Sequence, residues 1–188
     1  MSGLQRIPAA IVDKNLRQTQ REDTRMSYMS KLALKTVGPA QARKTALGHG
    51  IAMGSTVLTL DGALPVEFLS PGDRILTRAG ARRLRSIEVT VIQNDRVIRV
   101  TQDSLGNDRP CEDMIVVPEQ PLLIRDWRAN AMCGAAQAMI AAERLADGEF
   151  IRAEIIAEVR IFTLRFQAEE VIYAGGLELA CAPELVEV

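Results

Sequence analysis

Few residues in this chain are equipped for covalent chemistry. Its 188 residues include three cysteines, Cys111, Cys133 and Cys181, and one histidine, His49. The cysteines are widely spaced and form no Cys-x-x-Cys pair, so neither a disulfide framework nor a thiolate zinc site is encoded, and free thiols fit a reducing compartment. A single histidine also excludes histidine-rich metal centres and a Ser-His-Asp triad built from the body of the chain. Two nucleophile candidates remain. Ser55 has His49 nearby, although it falls inside a predicted strand. Cys181 stands among Leu179, Ala180 and Ala182, the setting of a small packing residue more than of an activated thiolate. His49, between Gly48 and Gly50, reads as an exposed linker residue. The lone tryptophan, Trp127, follows Arg125-Asp126 in an expected loop and reads as a packing anchor.

The elements that would position these groups are short strands. Thr56-Val57-Leu58-Thr59-Leu60 alternates with period two and stops at Asp61-Gly62, a dipeptide that tolerates the positive φ of a tight hairpin turn. Leu64, Val66 and Phe68 alternate next. Ser70-Pro71-Gly72-Asp73 places proline where φ is fixed near about −65° and glycine where φ is positive, as a type II turn requires. Residues 74–77 then form a strand ended by Ala79-Gly80. Residues 87–92 and 97–101 are expected to pair as a hairpin around Gln93-Asn94-Asp95, and the apolar run 114–117 is a buried strand. From Ala135 to Leu145, Met139, Ile140, Ala142 and Leu145 at helical spacing predict one short helix, stopped by Asp147-Gly148. Strands resume at Ile151, at Ile155-Ile156, over 159–164 and over 171–173. The fold class is mainly β, barrel-like or sandwich-like, with short strands, hairpins and one short helix.

Charge divides the chain in two. Residues 1–48 hold nine Lys/Arg against three Asp/Glu, and the remainder holds 14 against 21. The first part, interrupted by Pro8 and Gly38-Pro39, reads as a basic, loosely ordered N-terminal arm. It is a candidate for an acidic partner, while the absence of interleaved aromatics argues against nucleic acid. No run of 18 or more apolar residues is present and no signal-peptide pattern opens the chain, so no membrane is expected and a cytoplasmic location is. No motif calls for a cofactor or metal.

Four ordered segments carry a resemblance. Gly54-Ser55-Thr56-Val57-Leu58-Thr59 with Asp61-Gly62, Pro65-Val66-Glu67 and Pro71-Gly72-Asp73-Arg74-Ile75-Leu76-Thr77 resembles the opening of bacterial Hint domains, the hedgehog and intein autoprocessing fold. Asp113 to Leu123 is similar to the family's strand running into Ser/Thr-Pro-Gln-His, Ala142 to Gly148 to its helix and loop, and Glu170 to Leu177 to its closing strand. The resemblance implies a Hint-like β domain over residues 49–188. It also implies chemistry in which a cysteine thiol attacks the preceding carbonyl to form a thioester, while a histidine protonates or polarises that bond and a Thr/Ser-x-x-His motif holds the developing charge.

The positions that would carry this chemistry read otherwise. Counting back from Asp61-Gly62 puts Gly50 at the nucleophile. Val117-Pro118-Glu119-Gln120 retains only the proline of its motif, leaving Val117 and Gln120, of which Gln120 can hydrogen-bond but not shuttle a proton. Gln120 and Glu119 are expected as polar surface of the vacant cleft. Thr163 and Glu169 stand where the family often has histidines, and Gly175-Gly176 replaces an Asn-Gly. No catalytic residue is therefore assigned. The expected function is that of a catalytically degenerate Hint domain acting as a structural or protein-interaction module, through the vacant cleft or the basic arm. The alternatives are residual autoproteolysis or acyl transfer through Ser55 or Cys181, and an arm that carries the function on its own.

Overall fold

The computed structural model describes residues 47–184. The expected arm lies outside the described residues except for Leu47 and Gly48. The early hairpins are built by threonine side chains. β2 (Thr56–Thr59) turns into β3 (Gly62–Pro65) where Thr59 Oγ1 accepts from the Asp61 N–H at 3.0 Å and donates to the Gly62 carbonyl at 2.8 Å. The same device joins β4 (Arg74–Thr77) to β5 (Gly80–Arg83): Thr77 Oγ1 accepts from Ala79 N at 3.2 Å and donates to Gly80 O at 2.7 Å. The reversing residues of the first hairpin are thus Leu60-Asp61, one place earlier than Asp61-Gly62, and Gly62 opens β3 with φ of +112°. At the expected type II turn, Gly72 has φ of +106° and Asp73 N donates to Ser70 O at 3.1 Å.

The remaining strands are β1 (Ile51–Ala52), β6 (Ser86–Val100), β7 (Met114–Val116), β8 (Pro121–Ile124), β9 (Ala138–Ala141), β10 (Ile151–Arg165), β11 (Glu170–Ala174) and β12 (Leu177–Cys181). β1, β10, β6 and β7 close into a small barrel. A second sheet runs β3-β2-β4-β11-β12-β8-β9, with β5 on the flank of β4. The two share the larger of two core clusters, the smaller being Ala52, Ile92, Val97, Val117 and Ile161. Val57, Ile75, Ile98, Leu122, Ile172 and Leu177 are all 2% exposed or less. Burying a side chain of this size stabilises the fold by about 1.5–3 kcal/mol, so the core fixes the strand register from which the site residues project.

Three expected elements differ. Residues 135–145 form no α-helix: β9 pairs with β8, and Ala142–Leu145 make a single 3-10 turn. The one α-helix among the described residues is α1 (Trp127–Cys133), started by the Asp126 carboxylate on the Arg128 N–H at 2.8 Å and stopped by Gly134 at φ +65°. Strand pairing with β8 overrides the helical spacing, while a real cap and a left-handed stop fix the helix earlier. The expected hairpin at 93–95 is instead part of β6, one 15-residue strand. Asn94 takes φ of +49°, but the ladder to β10 continues without shift from Ile151 opposite Val100 to Arg165 opposite Ser86. Alternation also fails after Leu64, since Val66–Phe68 is a 3-10 turn that buries Val66 and exposes Phe68.

Candidate functional site

The chain enters β1 through His49 and Gly50, and the His49–Gly50 peptide bond is gripped at both ends. The Thr163 hydroxyl, from β10, donates to the His49 carbonyl oxygen at 2.9 Å. The Gly50 N–H donates to Gln120 Oε1 at 2.8 Å. Gln120 follows a tight turn after β7, closed by its own N–H on the Val117 carbonyl, and Val117 N in turn donates to Gly50 O at 3.1 Å. The two amide hydrogens of Gln120 go to Pro121 O at 3.0 Å and Ala180 O at 2.9 Å. Every hydrogen-bonding group of this carboxamide is satisfied, which fixes its orientation with oxygen toward Gly50. At 2% exposure Gln120 is core, where surface was expected, because its partners all come from neighbouring backbone.

Sequence reasoning thus brings together Gly50, Val117, Gln120 and Thr163, four positions from three separate stretches of chain. It missed Ile161. A Cβ on residue 50 would overlap Ile161 Cγ2, and would stand 3.5 Å from both Thr163 Oγ1 and Val117 Cγ1. Nothing in the local sequence marks Ile161, whose role depends on the β1–β10 register that sets Ala52 opposite it. Glu169 is exposed in the turn between β10 and β11.

The two alternative nucleophiles separate. Ser55 lies just before β2, not within it, and lines a shallow cavity with Met53, Glu112, Asp113 and Ile115, apart from the cavity at Gly50. Cys181, at the end of β12, does line the small apolar cavity of His49, Gly50, Gln120 and Leu179. Burial, reinforced by the negative charge of Glu170, pushes its thiol up to about 12. A thiol held protonated at neutral pH is a poor nucleophile.

His49 is half-buried, not an exposed linker residue. Burial draws its pKa below the usual histidine range; Glu169 opposes this and Arg165 adds to it. Trp127 is also corrected: it is 71% exposed at the start of α1 with the Arg128 guanidinium 5.3 Å from its ring centre, and it anchors no core. Among the described residues, no cluster of three or more His, Cys, Asp or Glu could hold a metal ion, and no helix is long and apolar enough to cross a membrane.

A solved bacterial intein-like domain from Clostridium thermocellum is similar to this chain at 14% identity and a TM-score of 0.53, covering 71% of this chain and 97% of its own. The gp41-1 intein gives 11% identity and a TM-score of 0.47, covering 70% and 97%; the Ssp DnaB mini-intein variant M86 gives 9% and 0.47, covering 74% and 97%. At these identities the first likeness speaks to fold alone. No curated relative matches the chain. A family model described as a Hint domain matches residues 49–180, the stretch that contains both the gripped peptide bond and every described strand except the last residue of β12. With well over half of its length matched in this way, the chain belongs to the Hint domain family.

Proposed function

We propose that this Hint domain does not cleave itself and serves as a structural or protein-interaction module. The observation that carries the reading is the pair of hydrogen bonds on the His49–Gly50 peptide. Cleavage at that bond needs a nucleophile for the carbonyl carbon and a proton for the departing nitrogen. A hydroxyl on the carbonyl oxygen is the right polarity for a developing oxyanion. The other two requirements fail: residue 50 has no side chain, and the nitrogen faces a carboxamide oxygen, which can only accept. A donor on C=O and an acceptor on N–H together stabilise the planar amide, opposing the pyramidal nitrogen of a leaving amine.

The test is the intact mass of the purified chain, incubated with and without hydroxylamine or dithiothreitol. A single unchanged species of 20.6 kDa is expected. Fragments meeting at His49 and Gly50 overturn the reading.

Acyl transfer through Cys181 has one observation in its favour, the cavity it shares with Gly50. Alkylation at neutral pH decides it. The exposed Cys111 and Cys133 react and the buried Cys181 does not, unless its thiol is activated.

A further inference from the structure

The β4–β5 hairpin carries charge that the fold does not use. Arg74 and Arg83 stand directly opposite one another in its ladder. Like charges across an antiparallel pair are destabilising. Several other arginines have carboxylates: Arg109 and Arg125, with Arg78 in the hairpin turn, all converge on buried Glu178, whereas Arg144 and Arg160 have none within 4.0 Å among the described residues. Among the described residues no carboxylate lies within 4.0 Å of Arg74, Arg83 or Arg85, whereas Arg82 reaches Glu170 at 3.0 Å. Arg85 has only a long contact to Gln167 at 3.5 Å. Arg82, Arg83, Arg85, Phe166, Gln167 and Glu170 line an open cleft of about 710 Å³. β5 pairs with β4 alone, so its outer edge is unpaired over Gly80–Arg83 among the described residues, and the edge closes at Arg85, whose N–H donates to the Arg165 carbonyl at 2.9 Å.

We propose that this edge receives an acidic, extended segment of a partner protein, which adds a strand to β5 and sets its carboxylates against Arg83 and Arg85. Three observations favour this occupant. An unpaired edge offers a row of backbone donors and acceptors, the basis of strand addition. All 14 basic residues in 49–188 are arginine, and the guanidinium fork matches a carboxylate in a two-point contact. A long nucleic acid is disfavoured by the 21 acidic residues of the same stretch, and the cleft's aromatic, Phe166, is 1% exposed and so gives no stacking platform. An edge charge that merely blocks aggregation would not need a second arginine directly facing it.

The test is calorimetric titration of the full chain, at low salt, with a short synthetic peptide alternating glutamate and valine. One-to-one binding is expected, weakened about tenfold by each of Arg83→Gln and Arg85→Gln, as loss of a charge-assisted hydrogen bond implies. Both side chains are exposed, and a thermal midpoint no lower than that of the parent chain shows that the variants fold. A peptide with proline in place of valine cannot extend the ladder and is expected to bind weakly. The proposal is overturned by absence of binding, by equal binding to the variants or of the proline peptide, or by a single-stranded oligonucleotide that binds as tightly. Binding seen only after removal of residues 185–188 also overturns it, since the occupant would then be the chain itself. None of these outcomes touches the non-cleaving reading, because the intact mass does not depend on Arg83 or Arg85.

Discussion

Around Gly50 and along β5 the domain treats its polar groups in opposite ways. At the first, the peptide nitrogen, both carbonyls and all of Gln120 are paired, and Ile161 fills the space where a side chain on residue 50 would start. At the second, three guanidiniums find no carboxylate among the described residues and two of them face each other. Reactive sites tend to hold groups that the fold alone cannot satisfy, because their partner arrives later. By that measure the polar groups around Gly50 are already matched within the fold, whereas Arg74, Arg83 and Arg85 are not.

The contrast breaks most visibly at Gln120. Gln120→Ala removes the acceptor for Gly50 N–H and the donor to Ala180 O, both in buried surroundings. Each buried group left without a partner costs about 1–3 kcal/mol, so a total loss of about 2–6 kcal/mol is expected in urea denaturation. A loss within experimental error would show that water replaces the carboxamide and that the cleft is open after all.

Gly50→Cys asks whether a thiol is all that is missing. Its Cβ must displace Ile161, and overpacking of this kind costs about 1–3 kcal/mol. The expected outcome is a destabilised chain with an unbroken mass, since Gln120 still holds the nitrogen as an acceptor. Efficient cleavage from this one change would mean that the cleft kept its machinery and lost only the sulfur.

How much of this was legible depended on whether a signal was local. Glycine at Gly62 and Gly72 could be read as marking reversals because positive φ needs it there, although the first hairpin reverses one place earlier, at Leu60-Asp61, and the sequence positions of Gly50, Val117, Gln120 and Thr163 followed from motif order. The grip itself could not be read. It depends on Gln120, after the turn that follows β7, and Thr163, in β10, arriving from 70 and 114 residues away from their backbone partners. The same limit misplaced the helix: Ala135–Leu145 has helical spacing, but whether Ile140 faces Leu122 across a ladder is a tertiary fact. Asp126 and Gly134, a cap and a stop, were local and sufficient for the true helix. The facing Arg74 and Arg83 were equally hidden, since neither is unusual until register sets them opposite.

A smaller effect is expected from pH. Burial lowers the pKa of His49 in the folded chain, so as pH falls the unfolded chain takes up the proton first. The stability owed to neutral His49 is complete above the ordinary value of about 6.5 and declines as pH drops below it toward the lowered folded value. His49→Gln should flatten this part of the pH profile of chemical denaturation. An unchanged profile would assign the acid sensitivity to other groups and leave the entrance to the cleft more solvated than its burial implies.

The smallest expected change in stability tests the open surface. Arg83→Glu turns the Arg74–Arg83 pair into opposite charges across the ladder, a gain of about 0.2–1 kcal/mol. If arginine stood there only for the fold, this variant would be better by every measure. Under the docking proposal it stabilises the domain and abolishes binding of the acidic peptide, because a carboxylate now faces the incoming ones. Stability and binding moving in opposite directions at one residue is the outcome that a purely structural role for Arg83 cannot produce. If the thermal midpoint rises and the peptide still binds, the repulsion between Arg74 and Arg83 has no counterpart in recognition, and the two surfaces differ in charge alone.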